Sequence, residues 1–293
     1  MPSLRSGFRW NASILLLLLL SPAFLAAQEV APAPDPKEIV RRGVEADEKN
    51  FEIARNYTGQ RRAVIKEFEK SGKVKKQFTR TYDVTVLYGQ EYSRLIQKDD
   101  RPLSADDEKK EQEKLDKFIA KHKSESADEH RKHLEKQEKE KKQDRAFIQD
   151  LVNAYDFQIV GEEKIDGREM WVIEANPRKD FHPTQPHADI LPKLKGKLWI
   201  DKHGYEWVRA EAEAIDTISF GLFLARLHKG SRLTFEQSRV NDEVWLPKRT
   251  LVAVDARIML FKNAAFENET TYSNYKKFVI GTKILPGMKE VTP

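Results

Sequence analysis

Between residues 196 and 215 (GKLWIDKHGYEWVRAEAEAI) apolar and polar positions alternate with period two on either side of a short polar turn, Lys202-His203-Gly204. The pattern predicts a β-hairpin. On the first strand Leu198 and Ile200 share one face, and Lys197, Trp199 and Asp201 the other. On the second, Val208, Ala210, Ala212 and Ala214 share one face, and Tyr205, Trp207, Arg209, Glu211 and Glu213 the other. The apolar face is built of small side chains, which leaves room on that side for a helix or an apolar ligand.

The same alternation, interrupted twice, organises the rest of the chain. Asp35-Pro36-Lys37-Glu38 reads as an N-cap, an N1 proline and an acidic N3 residue, and Val40, Val44, Phe51 and Ala54 follow at helical spacing. After a turn at Ser71-Gly72, the apolar positions Val74, Phe78, Tyr82, Val84, Val86 and Tyr88 alternate with polar ones, predicting a long strand with one wet face. A turn at Gly89-Gln90 leads to a strand from Tyr92 to Gln97. Further strands are expected over 157–162 and 168–175, joined by the turn dipeptide Asp166-Gly167, and over 231–240, 244–255, 257–261 and 265–273, with a turn at Asn241-Asp242. The run Ile218–Leu227 (ISFGLFLARL) is strongly apolar and fits the strand pattern poorly. The total is about ten antiparallel strands, hence an α+β, mainly antiparallel β fold with one N-terminal helix and no internal repeat.

The second interruption is a different material. Residues 106–145 carry thirteen acidic and thirteen basic side chains and very few apolar ones. Ser104 with Asp107, and Ser126 with Glu129, read as N-caps around a break at residues 123–125, and pairs such as Glu113–Lys117 and Glu135–Lys139 support helix by about 0.2–0.5 kcal/mol each. The stretch 104–152 is therefore expected to be a charged helical insertion, a solvated arm with coiled-coil character. Phe147, Ile148, Leu151, Val152 and Tyr155 supply the only stripe expected to dock on the body.

Composition adds two constraints. There are no cysteines among 293 residues, which excludes a disulfide scaffold, a thiol nucleophile, a cysteine-based metal site and lipid attachment through an N-terminal cysteine. Arg5 and Arg9 precede an apolar run, Ile14–Leu20, that continues into Ala23-Phe24-Leu25-Ala26-Ala27. A basic start, a short apolar run and small residues at its end make residues 1–27 a secretory signal peptide, followed by a flexible Ala/Pro leader over 28–35. The formal charge of +5 falls to 5 − 2 = +3 without those arginines, which for an exported chain argues against nucleic acid.

The sequence carries no Gly-x-Ser-x-Gly elbow, phosphate-binding glycine loop, dinucleotide fingerprint or His-Glu-x-x-His helix. His130 and His133 lie three apart on the charged arm, and His182 and His187 lie in a loop near Asp180 and Asp189; neither pair is expected to bind metal. No catalytic residue, metal ligand or cofactor is nominated.

Three phrases, taken in order, do resemble a known family. They are IDGREMWVI at 165–173 followed by Pro177, GKLWID at 196–201 with YEWVR at 205–209, and VNDEVWLP at 240–247. Together they resemble the outer-membrane lipoprotein-sorting proteins, the LolA-like carriers of the bacterial periplasm. The resemblance covers residues 157–278 and implies a half-open, incomplete β barrel wrapped over a helix, with an apolar cavity for acyl chains. It implies one LolA-like half-barrel domain over residues 36–290, interrupted by the 104–152 insertion.

The sequence expectation is then a periplasmic or otherwise exported, non-enzymatic monomer that binds a lipid or lipoprotein acyl chain. Phe220, Leu222, Phe223 and Leu227 are expected at the lid or mouth, and Val208, Ala210 and Ala212 on the inner wall. The alternative is an envelope scaffold or sensor that binds a protein partner through the charged arm.

Overall fold

The computed structural model describes residues 34–88, 90–124, 128, 131–132, 135–136, 139, 150–185, 188–220, 225–258 and 262–277. The expected signal peptide, most of the leader, the apolar pair Phe147 and Ile148, and the end of the domain beyond residue 277 lie outside them.

The chain opens with helix α1 (Pro36–Ala54), whose start is the one the sequence specifies: the Asp35 carboxylate accepts from the Lys37 amide at 3.1 Å, with Pro36 in the first turn. It continues through β1 (Tyr57–Phe68), β2 (Val74–Leu87), β3 (Gln90–Lys98), β4 (Arg101–Pro102), α2 (Ala105–Lys123), β5 (Tyr155–Ile165) and β6 (Arg168–Pro177). A short 3-10 helix, Ala188–Lys193, leads into β7 (Leu194–Asp201) and β8 (Trp207–Ala214). Then come β9 (Ile218–Phe220), β10 (Ala225–Leu227), β11 (Arg232–Val240), β12 (Val244–Ile258) and β13 (Lys262–Lys277).

All thirteen strands form one antiparallel sheet, in the order β4-β3-β2-β1-β13-β12-β11-β8-β7-β6-β5, with the β9–β10 ribbon attached to β12. The two ends of that order do not pair with each other, so the sheet is a half-open barrel. Its hairpins turn where the sequence supplies left-handed residues: Asp166 and Gly167 at φ 48° and 83°, Asn241 and Asp242 at 51° and 55°. The expected strand over 244–255 runs on without a break to Ile258 as one strand, β12, and residues 259–261 of the next expected strand lie outside the described residues. The apolar run Ile218–Leu227 is strand at both ends, with Ile218 opposite Leu227 and Leu227 opposite Ala256 of β12. This ribbon takes over the pairing with β12 past Arg232, where β11 begins.

Helix α1 lies across one end of the sheet. Ile39 and Val40 are buried against Ile173, Leu198 and Ile200, and its last turn reaches Tyr57, Val244 and Leu246. Midway, the Asn50 side chain clasps the backbone of Trp245, donating to its carbonyl at 2.8 Å and accepting from its amide at 2.7 Å. Gly43 is buried against the Trp207 indole, so close that an added Cβ would overlap the ring.

The first helix of the charged insertion is not a free arm. Leu115 is buried, and Phe118 and His122 pack on Tyr88 and Tyr92. The nearly buried Glu111 carboxylate accepts from the amide of Leu95 at 3.3 Å, and Asp107 pairs with Lys98 at 2.6 Å. Because β4 is two residues long, β3 would otherwise present an open edge, and α2 covers it. The expectation that only the 147–155 stripe docks is corrected. Two apolar side chains, Leu115 and Phe118, suffice when the rest of the contact is polar capping of a strand edge.

Candidate functional site

Cross-strand register makes the two faces of the sheet chemically distinct. One row runs Phe157, Ala175, Gly196, Ala212, Leu233, Val252, Asn268, Ile65, Phe78 across nine strands, and it is apolar at every position but Asn268. The adjacent row contains Ile159, Ile173, Leu198, Ala210, Phe235, Thr250, Thr270 and Ala63. The opposite face carries Arg209, Glu236 and Arg249 in one row and Glu174, Lys197 and Glu211 in the next. There Arg249 contacts Glu269 at 2.6 Å and Glu236 at 3.5 Å, and Lys197 contacts Glu174 at 3.3 Å. That face is a lattice of alternating charge, solvated and individually weak.

Helix α1 covers the apolar face only at its β5–β7 side and along one end. Past it, on β8, β11, β12, β1 and β2, Ala210, Ala212, Phe235, Val252, Val254, Ile65 and Phe78 are only half-buried, and Leu233 remains 44% exposed. From β8 to β2 this open strip crosses six neighbouring strands, about 24 Å at the usual spacing. Among the described residues, these half-buried apolar side chains form one contiguous apolar strip on the sheet.

The residues expected at the site divide accordingly. Ala210 and Ala212 stand in the uncovered rows, and half-buried Leu227, facing Ala256, extends the same face at the lip. Val208 does not belong with them. Trp199 pairs with Arg209 while Ile200 pairs with Trp207, so Val208 is the extra residue of a β-bulge. It is buried on the other face with Met170, Val172, Trp199 and Trp245, while Trp207 swings to the helix side against Gly43. One inserted residue thus reverses the alternation that the sequence pattern assumed for 205–208. Phe220 falls in β9, its side chain outside the described residues, as are Leu222 and Phe223. The sequence reading missed Leu233, Phe235, Val252 and Val254, whose period-two spacing in strands already expected was the signal available.

The turn between β7 and β8 is held by charge. Asp201 is fully buried, and its carboxylate accepts from Arg168 Nε and NH2 at 2.8 and 2.7 Å and from the His203 and Gly204 amides at 3.1 and 2.7 Å. Burial alone would raise this carboxyl, but the Arg168 guanidinium and the two amides outweigh it and hold it below the ordinary carboxylate range. The left-handed residue of this turn is Tyr205, at φ 66°, not Gly204, and its hydroxyl accepts from Arg42 of α1 at 3.1 Å.

Between this turn and α1 lies a cleft of about 360 Å³ lined by Arg42, Glu45, Lys49, Asn50, Glu206 and Glu243 among others. Charged side chains ring it alongside Ala46, Ile53 and Tyr205, and it lies on the flank of α1 away from Val44 and Phe51. None of Ala210, Ala212 and Leu227 lines it, so it is not the apolar cavity expected from the sequence. Among the described residues no three His, Asp or Glu side chains gather as a metal site, and no helix is long and apolar enough to cross a membrane.

No family model matches the sequence, and no curated protein matches it. Solved structures do. The chain is similar to a DUF1329 family protein from Desulfovibrio piger, at 12% identity and a TM-score of 0.29, over 85% of this chain and 95% of that one. It is also similar to a LolA superfamily protein from Nitrosomonas europaea, at 10% identity and a TM-score of 0.29, over 84% and 94%. The functional reading rests on this chain's own geometry.

Proposed function

We propose that this is an exported, non-enzymatic carrier that shelters the acyl chain of a lipid or lipoprotein against the uncovered apolar face of its half-barrel. One observation carries the reading: the apolar row continues across β8, β11, β12, β1 and β2 beyond the part that α1 covers, leaving Leu233 44% exposed. An unpaired apolar strip of that length lowers its free energy by covering itself with hydrocarbon. Each buried CH₂ contributes about 0.8 kcal/mol. A sixteen-carbon chain therefore offers on the order of 12 kcal/mol, against association costs of about 4–15 kcal/mol. Binding of this kind needs no precisely placed polar group, which suits a sequence without a catalytic constellation.

The test is delipidation of envelope-purified protein followed by native mass spectrometry and titration with a fluorescent fatty acid. Co-purifying lipid and saturable binding are expected. Leu233→Asp places a charge in the strip and is expected to weaken binding at least tenfold with little loss of stability, because the side chain is already exposed. Thr234→Asp, one residue along and on the charged face, is expected to leave binding unchanged. Equal binding by both variants, or no binding by the parent protein, contradicts the reading.

A further inference from the structure

The charged cleft between α1 and the turn after β7 has no part in the carrier reading, since no residue of the open strip lines it. Its volume of about 360 Å³ falls within the roughly 300–1,000 Å³ of small-ligand pockets. Most of the charges around it are already engaged. Arg42 donates to Glu38 at 2.9 Å and to the Tyr205 hydroxyl at 3.1 Å, and its guanidinium lies over the Tyr205 ring. Glu45 pairs with Arg41, and Glu243 accepts from Lys277 at 2.6 Å. Asn50 commits both ends of its amide to the Trp245 backbone.

Two charges are left over, one on each wall. Lys49, on α1, is exposed and makes no hydrogen bond or ion pair among the described residues. Glu206, on the turn, holds its Oε2 buried with no hydrogen-bond partner. No ion pair joins the two. A buried carboxylate oxygen without a donor is costly to fold around, and a ligand that brings an N–H into the cleft recovers that cost.

The signs of the two charges select the ligand. A molecule that carries only a cation meets the like charge of Lys49, and one that carries only an anion meets that of Glu206. A molecule with both finds an opposite charge on each wall. Ala46, Ile53 and the Tyr205 ring supply the apolar part of the lining. The geometry points to a second binding site, for a free amino acid or short peptide: its ammonium donates to Glu206, its carboxylate meets Lys49 and its apolar side chain lies against Ala46 and Ile53. The site is separate from the acyl-chain strip and stands whether or not that strip binds lipid.

The probe is alanyl-leucine, titrated calorimetrically into the protein at neutral pH, where both of its termini are charged. N-acetyl-alanyl-leucine, which lacks the ammonium, and alanyl-leucine amide, which lacks the carboxylate, are titrated beside it. Saturable binding of alanyl-leucine is expected, with each blocked form weaker by about tenfold or more. Glu206→Gln is expected to weaken alanyl-leucine by about tenfold without lowering the melting temperature, because the charge it removes has no hydrogen bond at Oε2. Lys49→Gln is expected to bring alanyl-leucine and its amide within about threefold of each other. Gly204→Ala reaches the same site by another route: its Cβ would overlap the Glu206 carboxylate and push it aside, while the residue 204 amide still donates to Asp201. Fatty-acid binding by Glu206→Gln is expected to match the parent, and a parallel loss overturns the separation of the two sites. No binding of alanyl-leucine, equal binding of its N-acetyl form, or an affinity unchanged in both Glu206→Gln and Gly204→Ala overturns the site itself.

Discussion

Replacing Asp201 by asparagine is expected to cost about 2–3 kcal/mol of folding stability at neutral pH. The carboxylate is fully buried and closes a ring of four donors: two from Arg168 on β6 and two amides of the turn that follows β7. Asparagine keeps an acceptor for the amides but leaves the Arg168 guanidinium, about 29% exposed, facing a neutral partner. The exposure of Arg168 is why the expected cost lies below that of a wholly buried pair. The effect has a defined pH dependence. The folded carboxyl is held below its ordinary value, near 3.9 in an unfolded chain, so its contribution is complete above that pH. It is lost as the pH falls through the folded value. Urea denaturation of the two proteins should therefore give a gap that is constant from pH 7 to about 5 and narrows below 4. A gap that persists unchanged to pH 3 would show that the charge is not what matters.

Gly43→Val is expected to cost about 2–3 kcal/mol, for a steric reason that the sequence conceals. A glycine in mid-helix normally loses stability relative to alanine by about 1 kcal/mol, so substitution ought to help. Here the space a Cβ needs is filled by the Trp207 ring, with the Tyr205 carbonyl oxygen 3.1 Å from the same point. The overlap forces either the indole out of its contact with α1 or the helix off the sheet. A double-mutant cycle separates these contributions. In a Trp207→Ala background, Gly43→Ala should become much less harmful, because only the close Tyr205 carbonyl then opposes a helix-propensity gain of about 1 kcal/mol. A thermal-melt series in which Gly43→Ala is equally harmful with and without the indole would contradict the packing account.

Both predictions come from the hairpin 196–215, which was the most readable stretch of the sequence and also the place where the reading went astray. Its strands, its turn and the apolar character of Leu198, Ile200, Ala210 and Ala212 follow from period-two alternation. Alternation carries no information about a bulge, because one extra residue costs the ladder little and leaves composition unchanged. Val208 and Trp207 consequently exchanged faces relative to the expected pattern. The capped start of α1 and the turns at Asp166-Gly167 and Asn241-Asp242 were legible because short-range backbone chemistry dictates them. The docking of α2 was not, since it depends on a long-range bond from Glu111 to the edge amide of Leu95 within a stretch whose composition suggests solvation. The open strip was half legible. Ala210 and Ala212 were found as small residues on a strand, while Leu233 and Val252 stand beside them only once the order β8-β11-β12 is known.

The account depends on hydrocarbon lying against the uncovered rows of the concave sheet. Photolabelling with a diazirine-bearing fatty acid, followed by peptide mapping, reads that contact directly. Saturable labels are predicted on β8, β11 and β12 at and around Ala212, Leu233 and Val252, and their yield should fall when unlabelled fatty acid competes. Labels confined to the ionic face around Arg209, Glu236 and Arg249, or to the charged cleft beside Arg42 and Lys49, would contradict it.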